Sequence, residues 1–264
     1  MGVFIFRGIE IHYESIGTGN PFLFLHGLGG ESGAVATAYS PPAGIRLVSF
    51  DFPGHGRSGY SNDDLFSFSS FTELTFALQE FLDLVPCAIG GISMGAAVSL
   101  SAALLKPERF TRLILVRPAW LNAPMEPNVQ HVYKEIALFL RMENGLNAYR
   151  KSSLYQMLSA DYPALESSMS GLLSYPRGAE TAGKFLRMPL DRPYNNAAQL
   201  SSLGLDTLVI GTKQDFIHPL SYAETLAKDI PEAKLVEIPS KSANSAEHRH
   251  ALQSAIDAFL FNLP

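Results

Sequence analysis

Six short apolar runs, each broken off by glycine, proline or serine, alternate with stretches of helical periodicity, and this alternation narrows the folds open to the chain more than any other feature. The runs are PFLFLHG, IRLVSFDFPG, PCAIGGIS, RLILVRPA, DTLVIGT and AKLVEIPS. A strand with one wet face alternates polar and apolar residues, whereas near-continuous apolarity is what a parallel sheet covered on both faces requires. Between the runs lie FTELTFALQEFLDLV, MGAAVSLSAALLKPERF, SYAETLAKDI and a final ALQSAIDAFLFNL, all helical in pattern. The start of the chain differs: VFIFR and IEIHYESI alternate and predict an antiparallel hairpin ended by the turn GTGN. The expectation is an α/β, mostly parallel, eight-stranded doubly wound sheet.

One segment breaks the alternation. From Asn122 to about Leu200 there is no strand-like run, only four helical patterns separated by ENG, DYP and SYPRG and opening with VQHVYKEIALFLRM. That is too long for a connecting loop in a compact domain. It predicts an inserted helical cap over 122–200, with 1–121 and 201–264 forming the core domain. Met125, Met142, Met157, Met169 and Met188, five of the seven methionines, fall in it. Helix packing accounts for such residues most simply; the functional alternative is an adaptable apolar pocket wall.

Composition removes several classes of function. With 47% apolar and 17% charged residues the chain can bury a large core. A net charge of -5 gives no basic field for phosphates, so nucleic acid is not expected as a partner. The single cysteine, Cys87, lies in an apolar run, which leaves no disulfide framework and assigns it to packing. No apolar run reaches the roughly 18 residues of a membrane span, and MGVFIFRGIEIHYE lacks the regions of a signal peptide. A cytoplasmic protein acting on a small-molecule substrate is the expectation, with a homodimer compatible with it.

Ligands of an open parallel sheet bind beyond the carboxyl ends of its strands. There the chain delivers His26-Gly27-Leu28-Gly29-Gly30, then Asp51 to Ser58, then Gly91-Ile92-Ser93-Met94-Gly95, and then Gly211 to Pro219. The third of these is a G-x-S-x-G pattern at a strand-to-helix turn. Ser93 there is either a nucleophile held above the sheet on a strained turn or a helix N-cap. In a chain with 21 glycines the pattern alone does not decide. The residues downstream do: a hydroxyl needs a base, and the base an orienting carboxylate. Asp215 follows one strand and the pair His248 and His250 follows the next, giving the order Ser, Asp, His. His248 is preferred as the base because it stands farther from the last helix and is freer to swing toward the serine. The loop after LILV, the other place such folds put the acid, offers Arg117, Pro118, Ala119 and Trp120 and no carboxylate. The amides of Leu28 and Met94 are expected to form an oxyanion hole. His26 and His55 are read as structural, and His12, His131 and His218 as carrying no constellation around them. No third ligand accompanies the His-x-His pair, so neither a metal nor a cofactor is expected.

HGLGG, DFPGHGRS, GGISMG, GTKQDFIHP and EHRHALQSAIDAFL, in that order and over nearly the whole chain, resemble the motifs of the α/β-hydrolase fold superfamily, with the cap at its usual insertion point. The resemblance implies Ser93 as nucleophile, Asp215 as acid, His248 as base, and Leu28 and Met94 as the oxyanion amides. The departure is a missing Gly-His pair before the last helix. Serine at 93 argues against members that need a carboxylate nucleophile, namely epoxide hydrolases and haloalkane dehalogenases. Ala96 and Ala97 after Gly95 argue against relatives that make menaquinone precursors. Fold does not fix reaction. The reading is a serine hydrolase cleaving an ester, thioester or lactone of a small, largely apolar substrate. Carbon–carbon bond hydrolases and cofactor-free perhydrolases share the triad, and a ligand sensor with little turnover is the alternative from another class.

Overall fold

Consecutive strand residues point to opposite faces, and in a computed structural model, which describes residues 1–261, both faces of the apolar runs are buried except in the last, AKLVEIPS, where Leu235 is exposed. The strands are β1 (Gly2–Phe6), β2 (Ile9–Gly17), β3 (Gly19–Leu25), β4 (Gly44–Phe50), β5 (Cys87–Ile92), β6 (Phe110–Val116), β7 (Thr207–Gly211) and β8 (Lys234–Glu237). They form one eight-stranded sheet in the order β1-β2-β4-β3-β5-β6-β7-β8. β1 and β2 pair antiparallel with each other and β2 with β4; from β4 to β8 every neighbouring pair is parallel. The hairpin and all six runs are therefore strands. The turn after β2 is tighter than GTGN suggests, because β3 already begins at Gly19.

The alternation of faces is visible residue by residue. Phe22, Phe24, Ile114, Val116, Leu208 and Ile210 pack with Val35 of α1 (Ser32–Ala38) and with Leu252, Ile256 and Phe259 of α10 (Ser245–Phe261). Their neighbours Leu23, Leu25, Leu113, Leu115 and Val209 turn to the other face, toward α2 (Phe68–Phe81), α3 (Met94–Leu105) and α9 (Leu220–Asp229). Burying each such side chain contributes about 1.5–3 kcal/mol relative to leaving it in water. Helix α3 is buried from Met94 to Ala103, which is why its sequence is apolar or small all round rather than striped.

The last helix starts earlier than its apolar pattern suggests. α10 opens at Ser245, because the Asn244 carboxamide oxygen accepts from the amides of Ala246 and Glu247 (both 3.1 Å) and the His248 amide donates to the Asn244 carbonyl (3.0 Å). Asn244-Ser245-Ala246-Glu247 is a helix-start signature. It puts both His248 and His250 on the helix and not in the loop before it.

Between β6 and β7 the chain forms α4 (Pro127–Leu140), α5 (Gly145–Arg150), α6 (Ser153–Asp161), α7 (Pro163–Leu173) and α8 (Gly183–Arg187), with short 3-10 turns after them. Three side chains from this insertion clasp alternate carbonyls of the loop after β4. Lys184 Nζ donates to Gly54 O (2.7 Å), the Tyr175 hydroxyl to Gly56 O (2.6 Å) and Arg177 Nη1 to Ser58 O (2.7 Å). Lys184 is 2% exposed and faces no carboxylate in these bonds, and burial pushes its ammonium down to about 7. Among the described residues no helix is long and apolar enough to cross a membrane.

Candidate active site

The turn between β5 and α3 leaves no room for a side chain at Gly91 or Gly95, two residues either side of Ser93. A Cβ on Gly91 would run into the Gly95 backbone, and one on Gly95 into the carbonyls of Leu25 and His26. Ser93 itself sits at φ 58°, ψ −112°, a strained region for a residue with a Cβ. The turn is held by the Ser93 amide on Val116 O (2.9 Å) and by the Ala97 amide on Ser93 O (3.1 Å). Although Ser93 occupies the N-cap position of α3, its side chain makes no cap hydrogen bond. The hydroxyl points elsewhere.

It meets His218. The imidazole Nε2 lies 2.9 Å from Ser93 Oγ, and Nδ1 lies 2.8 Å from Asp215 Oδ1. A carboxylate only accepts, so Nδ1 carries the proton and Nε2 of the neutral ring is left to accept from the serine hydroxyl. The structure thus brings His218, and not the expected His248, against Ser93. His248 is in the first turn of α10, and its Nδ1 bonds the carbonyl of Pro239 (2.8 Å) instead of a carboxylate. His218, read from sequence as having no partners, stands three residues after Asp215 in the loop following β7. The Asp215 Oδ1 atom also accepts from the amides of Ile217 (3.2 Å) and His218 (3.1 Å), which folds the loop back so that both side chains face the serine. The D-x-x-H spacing of Asp215 and His218, together with the missing Gly-His before α10, was the signal available in the sequence.

A second residue escaped the sequence reading. Arg117, the first residue after β6, reaches Asp215 Oδ2 with Nε (3.1 Å) and Nη2 (2.5 Å). Burial works against ionisation of Asp215, but the His218 and Arg117 charges and hydrogen bonds more than offset it and hold the carboxyl well below the usual carboxylate range. Burial and then the Arg117 charge hold His218 below its ordinary value, against the opposing pull of Asp215.

Ser93, Asp215, His218 and Arg117 open into a cavity of about 1110 Å³. Leu28 lines it beside Ser93, as do Tyr162, Leu165, Met169 and Leu172 from the insertion and Phe216 from the loop after β7. Of the five methionines in the insertion only Met169 lines this cavity, while Met142 (52%) and Met157 (36%) are exposed. Met94 is the first residue of α3, so its amide has no carbonyl one turn back to bond. His26 and His55 are buried: His26 Nδ1 donates to Gly27 O (2.8 Å) while its Nε2 accepts from the Phe52 amide (3.1 Å), and His55 Nδ1 donates to Pro53 O (3.0 Å). Burial pushes His26 down to about 4 and His55 well below its ordinary value. Among the described residues no group of three or more His, Cys, Asp or Glu side chains is placed to hold a metal ion.

Residues 20–243 match the family model of the alpha/beta hydrolase fold. The chain is 26% identical over 243 residues to a 2-hydroxymuconate semialdehyde hydrolase of Pseudomonas putida, which covers 86% of this chain and 82% of that protein. Similar solved structures include an alpha/beta hydrolase enzyme from a Medee basin deep-sea metagenome library, with a TM-score of 0.78 at 19% identity over 100% of this chain and 98% of that one. An esterase from Exiguobacterium antarcticum has a TM-score of 0.77 at 17% identity, over 98% of this chain and 100% of that one. At these identities the likeness to the solved structures is one of fold.

Proposed function

Because the chain belongs to the alpha/beta hydrolase fold family, whose members similar to it include hydrolases, we propose that it cleaves an ester, thioester or lactone of a small, largely apolar substrate through an acyl-enzyme on Ser93. The observation that carries this reading is the unbroken hydrogen-bond chain from Ser93 Oγ through the His218 imidazole to Asp215. In this reading His218, and not His248, is the base.

Ser93 Oγ attacks the substrate carbonyl while its proton passes to His218 Nε2, and Asp215 stabilises the imidazolium that results. The amides of Leu28 and Met94 receive the developing oxyanion, aided by the N-terminal end of α3. His218 returns the proton to the leaving oxygen or sulfur as its bond to the acyl carbon breaks, which leaves the acyl group on Ser93; the leaving group departs from an ester or thioester and stays tethered as a hydroxyl in an opened lactone. A water then gives one proton to His218 and attacks the acyl carbonyl; the bond to Ser93 Oγ breaks, His218 returns that proton to Oγ, and the acid leaves. The helices over 122–200 act as the cap that covers the acyl or alkyl part, with Leu165, Met169 and Leu172 as its apolar wall.

The test is cleavage of p-nitrophenyl esters of graded acyl length, with fluorophosphonate labelling of the serine. Wild type is expected to turn over short and medium chains and to take one label, and Ser93→Ala to lose label and at least about 10⁴-fold in kcat. Wild type that neither cleaves any ester nor takes the label would sink the proposal. Carbon–carbon bond hydrolysis on the same three residues is the second reading, favoured by the similarity to the semialdehyde hydrolase. It predicts labelling of Ser93 together with turnover of a carbon–carbon substrate in place of the esters.

A further inference from the structure

Arg117 occupies the loop where an acid is the other usual choice, yet it carries the opposite charge and is built into the site. Its backbone adopts φ 48°, in the left-handed region that a residue with a side chain avoids. The Arg117 amide donates to Ile210 O of β7 (2.7 Å), which fixes this turn against the strand that leads to Asp215. From there the guanidinium covers Asp215 Oδ2 with two N–H groups, Nε and Nη2, while Oδ1 is left to the His218 ring and two amides. The two carboxylate oxygens are thus divided between two partners, and rotation of the carboxylate would break both sets of bonds.

The same guanidinium lies against the base. Arg117 Nη2 is 3.1 Å from His218 Nδ1. Nδ1 already gives its proton to Asp215 and a guanidinium has no lone pair to offer, so this is a meeting of two donors on one carboxylate and not a hydrogen bond between them. A fixed positive charge therefore sits beside the ring that must become positive when it takes the serine proton. Asp215 favours the imidazolium and Arg117 opposes it. The ionisable groups that act on the pair include Tyr133 of α4 and His248 of α10, and Glu31, Asp161, Tyr162, Tyr175 and Lys241 line the same cavity.

We propose that Arg117 is a positioning residue that locks the Asp215 carboxylate toward His218 and, through its charge, lets the serine–histidine pair work at lower pH than Asp215 alone would allow. Its effect reaches the reaction through the other two residues. This rests on the hydrolase reading only for its kinetic readout. The guanidinium stays charged across the working range, so it acts as a constant bias rather than as a switch.

The experiment is the pH dependence of kcat/KM for a p-nitrophenyl ester in wild type, Arg117→Gln and Arg117→Lys, run beside an NMR titration of the His218 ring in the same three proteins. Losing the charge is expected to move the acid limb, and the His218 titration, upward by on the order of one pH unit in Arg117→Gln. Losing the two-pronged contact is expected to lower kcat about tenfold or more. Arg117→Lys keeps the charge without the fork, so its acid limb stays near that of wild type while kcat falls. An unmoved acid limb and ring titration in a folded Arg117→Gln would overturn the electrostatic role. If that variant does not fold, an Arg117→Lys limb displaced upward as far as a lost charge requires would overturn it equally. Should wild type cleave no ester and take no fluorophosphonate label, the hydrolase reading fails, and the ring titration still decides the inference.

Discussion

His218 and His248 follow parallel strands that lie side by side, β7 and β8, and both hold Nδ1 by a hydrogen bond of 2.8 Å. They differ in what accepts that bond. For His218 it is the Asp215 carboxylate, pinned by Arg117; for His248 it is the neutral carbonyl of Pro239. Either acceptor can fix a tautomer, but only the carboxylate gives a negative charge against which an imidazolium can form. They differ also in support. The Asp215 loop turns on its own carboxylate, so acid and imidazole are held in one turn, whereas His248 is carried by the first turn of α10. Position after a strand is therefore not enough to make an imidazole a base. It needs an ionised partner on one nitrogen and the nucleophile on the other.

The strongest way to break this contrast is to delete each ring in turn. His218→Ala is expected to lower kcat/KM by about 10⁴-fold or more, since the serine loses its proton acceptor. His248→Ala should stay within about twofold of wild type per folded molecule. Steady-state ester hydrolysis with active-site titration measures both, and a reversal of the two results would return the base to His248. A smaller loss sharpens the cause. Asp215→Asn gives His218 a neutral partner like that of His248, with the imidazole still beside Ser93. Its expected cost is about 10³–10⁴-fold in kcat with little change in KM, because the ring can then take the wrong tautomer and the imidazolium is unsupported. A loss of only a fewfold would mean that the carboxylate does not matter and that the contrast lies in position alone.

These two histidines also mark where the sequence was and was not legible. Strands closed on both faces leave continuous apolar runs, so the sheet, its parallel grammar and the helical insertion could be read from spacing. The Ser93 turn could be read because a sharp strand-to-helix reversal demands small residues at 91 and 95. Asp215 could be read because it follows a strand. The imidazole could not be placed by the same logic, since chain order favours a histidine after the next strand. What brings His218 to Ser93 is a local turn: the positive φ at Gln214 and the return of two amides onto Asp215 Oδ1. Such a turn leaves no periodicity. The start of α10 was hidden for a different reason. Its first turn is polar and exposed apart from His248, so the apolar pattern begins only at Ala251, although the Asn244…Glu247 spacing marked the true beginning. Arg117 enters the sequence reading only as a position without a carboxylate, because nothing in the spacing shows that its guanidinium reaches Asp215 Oδ2.

The smallest expected effect concerns what His248 does contribute. Its bond to Pro239 O ties the end of β8 to α10, and a neutral hydrogen bond of this kind is worth about 1 kcal/mol. For a chain of this size His248→Ala should lower Tm by about 2–4 °C near pH 8, with activity per folded molecule unchanged. Burial first, and then the charges of Arg117 and Lys241, hold the folded imidazole below its ordinary value, against the opposing effects of the Pro239 bond and Asp215. The unfolded ring titrates near about 6.5. Between the two values the unfolded chain binds the extra proton, so wild type loses stability as pH falls through about 6.5 toward the lowered folded value. The alanine variant has no such group, while His218 and the other titrating residues remain in both proteins and cancel. Thermal melts of the pair from pH 8 to pH 5 should therefore show the gap closing on acidification. A gap that instead widened would mean that the folded protein holds His248 charged, which would make its environment like that of a supported imidazolium and erase the distinction from His218.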